Sequence, residues 1–130
     1  MRTLEPQTIR CLLEELLRSD AHHFPPEREH LEAPTEQGVY IIYDPEGRVA
    51  HVGRTPRAQN GLRQRLKNHL QGKSSFVRSY LAGDGSKLRQ RFQYKYLIIP
   101  DPRERALVEA LAVGTLCPLH LGLGKTNQYQ

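Results

Sequence analysis

The chain has too few cysteines for a disulfide framework. Cys11 and Cys117 are the only two, far apart and without a CxxC motif, so a thiolate zinc site is not expected either. Long apolar runs are also missing, which excludes a membrane-spanning helix. Glu5, Glu14 and Glu15 interrupt the N-terminal stretch, which therefore lacks the apolar segment of a signal peptide. These absences predict a reduced, cytoplasmic protein with no membrane partner.

Charge is unevenly divided along a chain of 130 residues, which is long enough for one domain with a modest core. Residues 1–47 contain four Lys/Arg against ten Asp/Glu, whereas residues 54–105 contain thirteen against three. The basic block favours a polyanionic partner, of which nucleic acid is the commonest inside cells. A solvated basic surface that keeps the protein soluble is the alternative.

Hydrophobic periodicity predicts the order helix, strand, strand, helix, helix, strand, helix. An amphipathic helix over about 6–19 precedes a Pro-rich connector, and GVYIIY and RVAHVG form two strands around the turn DPEG. A third strand follows at RFQYKYLII. The fold class is therefore α/β, with a small three-stranded, mostly antiparallel sheet flanked by helices. The expected organisation is an N-terminal helix and connector over 1–33, the main domain over 34–121 and a tail over 122–130.

Helix boundaries follow from capping residues. Asn60 is expected to cap the helix after the hairpin, and Ser74 or Ser75 the next one. Asp101, followed by proline, is expected to cap the last helix. Gly114 and a later proline are expected to end that helix.

The hairpin brings a phenol and an imidazole together. If the reversal contains an even number of residues centred on Pro45-Glu46, Tyr40 lies opposite His51 and Gly38 opposite Gly53, with the two glycines leaving room for a ligand. A bulge would shift this register. An ordinary aromatic–histidine packing pair is the alternative.

Glu109 is the only charged residue in the apolar stretch ALVEALAV. Burying a carboxylate without a partner is costly, so it must reach solvent, pair with a cation or hold a metal. The simplest alternative is an exposed ion pair with Arg105, one turn earlier.

Arg65 and His69 are four residues apart and share one face of the helix after the hairpin. A guanidinium is suited to phosphate because its planar fork donates in pairs; a solvated helix face is the alternative. The remaining histidines fit no zinc-ligand spacing and are predicted to be surface or linker residues: His22, His23, His30 and His120.

Taken in order, these residues resemble the signature of the GIY-YIG nuclease family. GVY at 38–40 is followed by HVG at 51–53, then by Arg65-x-x-x-His69, and a glutamate on a later apolar helix, Glu109, precedes Pro118. The resemblance covers roughly residues 36–120. It implies a DNA endonuclease, with RNA not excluded and a homodimer left open, that uses one Mg²⁺ or Mn²⁺.

By this resemblance the catalytic residues are Tyr40, His51, Arg65, His69 and Glu109. Arg65 takes the place of the phosphate-contacting arginine, and Glu109 that of the single metal-binding carboxylate. The remaining candidates are basic residues expected to contact phosphates: Arg54, Arg57, Arg63, Lys67, Lys73, Arg78, Arg89 and Arg91.

Two positions depart from the family pattern. His51 stands where the family has a tyrosine that is often considered the general base; an imidazole titrates closer to neutral pH, so the replacement is chemically plausible as a base. It is also compatible with lost activity. Leu121 stands where the family often has an asparagine, for which Asn127 is a candidate substitute. The alternatives to a nuclease are therefore an inactive nucleic-acid-binding module and a protein-interaction or regulatory domain.

Overall fold

The computed structural model describes residues 4–56 and 59–122. Its elements are α1 (Leu4–Arg18), β1 (His22–His23), β2 (Gly38–Tyr43), β3 (Val49–Arg54), α2 (Gly61–Leu70), α3 (Ser75–Tyr80), a 3₁₀ helix (Gly85–Arg89), β4 (Gln93–Ile98) and α4 (Pro102–Leu116). The predicted α/β class and the order of the seven expected elements are confirmed. Within the described ranges, no helix is long and apolar enough to cross a membrane.

The sheet has four strands in the order β1-β4-β2-β3, and each neighbouring pair is antiparallel. The three-strand prediction missed β1, which lies within the predicted connector. His22 pairs with Tyr94, and its ring stacks on those of Tyr94 and Tyr96 at 5.4 and 5.3 Å between centroids. A strand of two residues is too short to show hydrophobic periodicity. Its extended conformation depends on pairing with β4, which the local sequence does not encode.

The two faces of the sheet form separate hydrophobic cores. Tyr40 and Ile42 of β2 pack with α2 and α3 on one face, to which the connector contributes Phe24. Val39 and Ile41 pack with α1 and α4 on the other. Alternation along β2 therefore sends its side chains into both cores in turn.

The hairpin register differs from the prediction by two residues. Tyr40 lies opposite Gly53, and His51 opposite Ile42. One residue of the shift comes from the turn, which has three residues because Asp44 N–H donates to the Arg48 carbonyl (2.9 Å). The other comes from a bulge in β3, where the register shifts beyond Ile42. Because side chains alternate with a period of two, Tyr40 and His51 nevertheless remain on the same face, with ring centroids 6.1 Å apart.

Capping follows the prediction at two of three helices. Ser74 accepts a hydrogen bond from Val77 N–H, and Asp101 accepts one from Glu104 N–H. Asn60 makes no side-chain cap, because the backbone carbonyls of Pro34 and Glu36, which lie between the connector and β2, accept the first N–H groups of α2 instead. Pro118 follows the end of α4 as predicted, but Gly114 does not end the helix, which continues to Leu116 and ends at a left-handed Cys117.

Candidate active site

A pocket of about 540 Å³ lies along the outer edge of β3, the last strand of the sheet. The side chains that line it include His51 and Arg54 from β3, Arg65 from α2 and Glu109 from α4. The segment after α4 supplies His120. Helices on opposite faces of the sheet thus meet at one edge, which is how residues far apart in sequence converge.

The predicted juxtaposition of His51, Arg65 and Glu109 is therefore present. Tyr40 lies behind this pocket, fully buried, and its hydroxyl is 2.7 Å from Nε2 of His69. Burial raises the pKa of Tyr40 to about 12, although the nearby charge of Arg65 opposes the rise. The phenol is therefore protonated at neutral pH and is a hydrogen-bond donor rather than a base.

His69 is also fully buried, and both of its nitrogens have partners. Its Nδ1 lies 2.7 Å from Oγ of Ser74, which also accepts from Val77 N–H. Burial holds the pKa of His69 well below its ordinary value, with the charges of His51 and Arg65 adding to the effect. A consistent assignment has Tyr40 donating to Nε2 and Nδ1–H donating to Ser74. His69 therefore holds Tyr40 in place and has no nitrogen left for a ligand.

His51 is 8% exposed and stacks on the Phe76 ring at 4.7 Å between centroids. Burial lowers its pKa to about 3, with electrostatic interactions with His120 and Arg65 adding to the shift. Its Nδ1 lies 3.3 Å from Nδ1 of His120. Its other nitrogen, Nε2, is buried and has no partner among the described residues.

The Arg65 guanidinium shows the same feature. Its Nε is buried without a hydrogen-bond partner in the described part of the chain, and the side chain lines the same pocket as His51. A buried polar group without a partner is costly, and such groups are typical of places where a bound molecule completes the bonding. Two of them in one pocket mark it as the candidate active site.

Glu109 pairs with Arg54, not with Arg105. The Arg54 guanidinium donates to Oε1 of Glu109 at 2.7 Å. Arg105 is buried and donates instead to the carbonyls of Ile99 and Pro56. The alternative interpretation of Glu109 as a partner of Arg105 is therefore wrong, because that guanidinium is already bonded to the Ile99 and Pro100 carbonyls just before α4 and to the Pro56 carbonyl just after β3.

The two motif glycines do not leave room for a ligand, contrary to expectation. A Cβ on Gly38 would lie 2.2 Å from the Leu97 carbonyl oxygen, and one on Gly53 would lie 2.3 Å from the Tyr40 hydroxyl. Both spaces are filled by the protein itself. Glycine is required at these positions for close packing of neighbouring groups.

The donor set suits a divalent cation that keeps most of its water. Glu109 is the one carboxylate among the described residues lining the pocket, and its Oε1 is shared with Arg54. Within residues 4–56 and 59–122, no three His, Cys, Asp or Glu side chains form a metal-binding group by themselves. A single carboxylate in a roomy pocket matches Mg²⁺, which is often bound through one or two carboxylates and several waters.

Of the eight predicted phosphate contacts, Arg54 pairs with Glu109, and the others that the structure describes divide into two groups. Arg63 and Arg89 donate to carbonyls of the connector, at Ala33 and at Pro25 and Pro26 respectively. These two cations hold the connector in place. Exposed side chains without such a role remain at Lys67, Lys73, Arg78 and Arg91, whereas Arg57 lies outside the described residues, as does Asn127.

Comparison with known proteins gives a structural match only. No protein-family model matches the chain, and no curated protein matches it. The magnesium-bound GIY-YIG N-terminal endonuclease domain of UvrC from Thermotoga maritima matches with a TM-score of 0.50 and 23% identity, over 68% of this chain and 86% of that one. A point mutant of that domain, bound to its catalytic divalent cation, gives the same values. This chain has the GIY-YIG fold.

Within this GIY-YIG fold, sequence reasoning missed one pocket residue. His120 was predicted to be a surface or linker histidine, and that prediction is wrong: its backbone N–H bonds to the Ala50 carbonyl at 2.9 Å, and its ring contacts His51. It lies beside Leu121, the position where the motif pattern led us to expect an asparagine. The position of His120 next to a motif residue was therefore the feature of the sequence that could have predicted its place in the pocket.

Proposed function

We propose that this chain is a divalent-metal-dependent endonuclease that hydrolyses phosphodiester bonds of DNA. The observation that carries the proposal is the convergence of His51, Arg65 and Glu109, from three different elements, on one pocket. The UvrC domain with the same fold is an endonuclease domain that binds magnesium, which supports the same class of reaction here.

Arg65 is the candidate phosphate ligand. Its Nε is buried and has no hydrogen-bond partner among residues 4–56 and 59–122, and in such a setting a charge-assisted hydrogen bond to a phosphate oxygen is stronger than in water. Its charge is also close enough to lower the pKa values of Tyr40, His51 and His69. Charge that develops on the phosphoryl oxygens during attack would be stabilised by this fixed cation.

His51 is the candidate general base. Its low pKa keeps it neutral, and in the tautomer with hydrogen on Nδ1 its Nε2 has the lone pair that accepts a proton. In the proposed step a water loses a proton to Nε2, its oxygen forms the new bond to phosphorus, and the leaving oxygen departs with the electrons of the broken P–O bond. Burial is the main cause of the low pKa of His51, and a phosphodiester anion beside Arg65 would offset the smaller contribution of that cation, which raises the pKa of the base toward working pH.

Tyr40 and His69 are proposed to position rather than to react. Tyr40 is protonated and bonded to His69, and this buried pair supports the floor of the pocket at Gly53. The metal-binding role falls to Glu109. When bound, a divalent cation would supply positive charge to the phosphate and to the leaving oxygen.

DNA would be held next to the pocket by the basic block. Lys73 and Arg78 lie just before and within α3, the helix whose first residue, Ser75, lines the pocket. Such contacts to the phosphate backbone position the substrate without reading its sequence. The same surface would also accept RNA phosphates, so the cleavage test includes both DNA and RNA substrates.

The test is a cleavage screen with labelled single-stranded, duplex, flap and branched DNA, with matched RNA strands, in Mg²⁺, Mn²⁺ or EDTA. Wild type is expected to cut DNA only with a divalent cation, and Glu109→Gln to lose cutting. Glu104→Gln is the matched control because it removes a carboxylate from the same helix outside the pocket. Cleavage that persists in Glu109→Gln at the wild-type rate would contradict the proposal.

A second candidate is a module that binds nucleic acid without cutting it. The ion pair between Arg54 and Glu109 favours it, because Oε1 of the one candidate metal ligand is already engaged. Wild type that binds DNA but cuts none of the substrates with either cation would support this alternative.

A further inference from the structure

His120 reaches the candidate active site from the segment that follows α4. Backbone N–H groups of Leu119 and His120 donate to the carbonyls of Val49 and Ala50, at 3.0 and 2.9 Å. This pairing covers the first part of the outer edge of β3 and ends where the pocket begins. It places the His120 ring 5.3 Å from that of His51 and 5.5 Å from that of Phe76, between centroids.

The contact between the two histidines restricts their protons. Nδ1 of His51 and Nδ1 of His120 are 3.3 Å apart, so a hydrogen bond between them requires that one nitrogen carries hydrogen and the other does not. If His120 donates, the remaining hydrogen of neutral His51 is on Nε2. If His51 donates, its Nε2 has a free lone pair.

The surroundings favour donation by His51. Nε2 of His51 is buried without a partner in the described part of the chain, and a buried N–H without an acceptor is rarer in proteins than an acceptor without a donor. His120 is half-exposed, so its own Nε2–H has solvent available.

We propose that His120 is a positioning residue that accepts a hydrogen bond from Nδ1–H of His51 and so keeps Nε2 of His51 free to take a proton. The inference deepens the proposed function and rests on it for its catalytic consequence. The link is local: when Nε2 accepts a proton, His51 becomes cationic and its bond to His120 becomes charge-assisted and stronger. The same bond also fixes the plane of the ring.

Other charged and titratable groups around the pair do not replace this contact. Both nitrogens of His69 are engaged with Tyr40 and Ser74. Glu109 is held by Arg54. Burial lowers the pKa of His120, which leaves it neutral and able to accept.

The first readout is the tautomer of His51, which needs no substrate. Two-bond ¹H–¹⁵N spectra of histidine-labelled protein at pH 7.5 distinguish Nδ1–H from Nε2–H, and exposed His30 serves as an internal reference. Wild type is expected to show His51 with hydrogen on Nδ1. His120→Phe keeps a ring but has no acceptor and is expected to move His51 toward Nε2–H. His120→Asn, whose side-chain oxygen is placed similarly to Nδ1, is expected to preserve the wild-type tautomer.

The second readout is single-turnover cleavage on a substrate that wild type cuts. His120→Phe is expected to lower the rate by about 10²-fold, the lower end of general-base contributions, with DNA affinity unchanged, and His120→Asn to restore most of it. Hydrogen on Nε2 of His51 in wild type would overturn the inference, as would a wild-type rate in His120→Phe. If wild type cuts no substrate, the proposed function fails, while the spectra still show which nitrogen of His51 carries hydrogen. Signals as well dispersed as those of wild type show that each variant is folded.

Discussion

The Tyr40 hydroxyl occupies the space in which a side chain on Gly53 would begin. A Cβ added to Gly53 would lie 2.3 Å from that oxygen and 2.5 Å from the ring carbon that bears it. The two residues are opposite each other in the β2–β3 pair. Position 53, the last residue of HVG, therefore requires glycine because Tyr40, the last residue of GVY, fills the adjacent space.

Gly53→Ala is therefore expected to destabilise the fold by about 1–3 kcal/mol, the usual cost of overpacking a buried site. Urea unfolding measures the change. Gly114→Ala is the matched control: it lies in α4, and no atom of the described residues is within 4 Å of the added methyl, so it should stabilise by about 0.5–1 kcal/mol. A Gly53→Ala protein as stable as wild type would show that the phenol moves aside freely.

Removing the Tyr40 hydroxyl should also cost stability. Tyr40→Phe leaves Nε2 of the fully buried His69 without its partner at 2.7 Å, and an unsatisfied buried group typically costs about 1–3 kcal/mol. Tyr43→Phe, on the same strand but half-buried in the other layer, should change the free energy of unfolding by less. Equal losses of unfolding free energy in the two variants would contradict the assignment of a stabilising hydrogen bond between Tyr40 and His69.

Stability is expected to fall as the pH drops from 6.5 toward 5. The pKa of His51 is about 3 in the folded protein, and it is near 6.5 when the chain is unfolded. The unfolded chain therefore binds the extra proton in this window, and stability present above pH 6.5 is progressively lost on acidification. One pH unit on one such group is worth about 1.4 kcal/mol, so His51 alone accounts for about 2 kcal/mol between pH 6.5 and 5.

Urea unfolding of wild type and His51→Gln at pH 7.5, 6.5 and 5 measures this contribution. The variant should lose less stability on acidification than wild type, while His30→Gln, at an exposed position, should follow wild type. The same pH slope in all three proteins would mean that His51 titrates normally in the fold.

Freeing Glu109 from Arg54 should strengthen divalent-cation binding. Arg54→Gln removes the 2.7 Å ion pair and its cationic charge, so half-saturation by Mn²⁺, followed by calorimetry without DNA, should shift to lower concentration. The folding cost should stay below about 1 kcal/mol because the pair is partly exposed. Arg48→Gln, which breaks an ion pair with Asp44 remote from the pocket, is the control, and unchanged Mn²⁺ binding in Arg54→Gln would argue against Glu109 as the ligand.

Salt dependence should distinguish phosphate contacts from structural cations. Lys73→Ala and Arg78→Ala, both exposed, are each expected to reduce the slope of log K against log salt by about 1. Arg103→Ala is the control because its guanidinium is paired with Glu5 on α1, which packs on the face away from α2 and α3. Equal slopes in all the variants would show that DNA lies elsewhere.

Local sequence determined most of the elements and two of the caps. Periodic apolar residues act over one or two turns or strands, so they predict helices and strands without knowledge of the rest of the fold. Asp101 and Ser74 act within three residues, which is why those caps could be predicted. The face shared by Tyr40 and His51 also followed from the sequence, because a shift of two residues preserves it.

What only the tertiary structure decided was which partner each polar group takes. Arg105 was the local candidate for Glu109, yet its guanidinium donates to the carbonyls of Ile99 and Pro100 before α4 and of Pro56 after β3, and Arg54 takes the carboxylate. His120 enters the pocket because its segment pairs with the edge of β3, a contact across about seventy positions that no periodicity encodes. Side-chain partners depend on the three-dimensional distances between donors and acceptors, and those distances exist only once sheet and helices have packed.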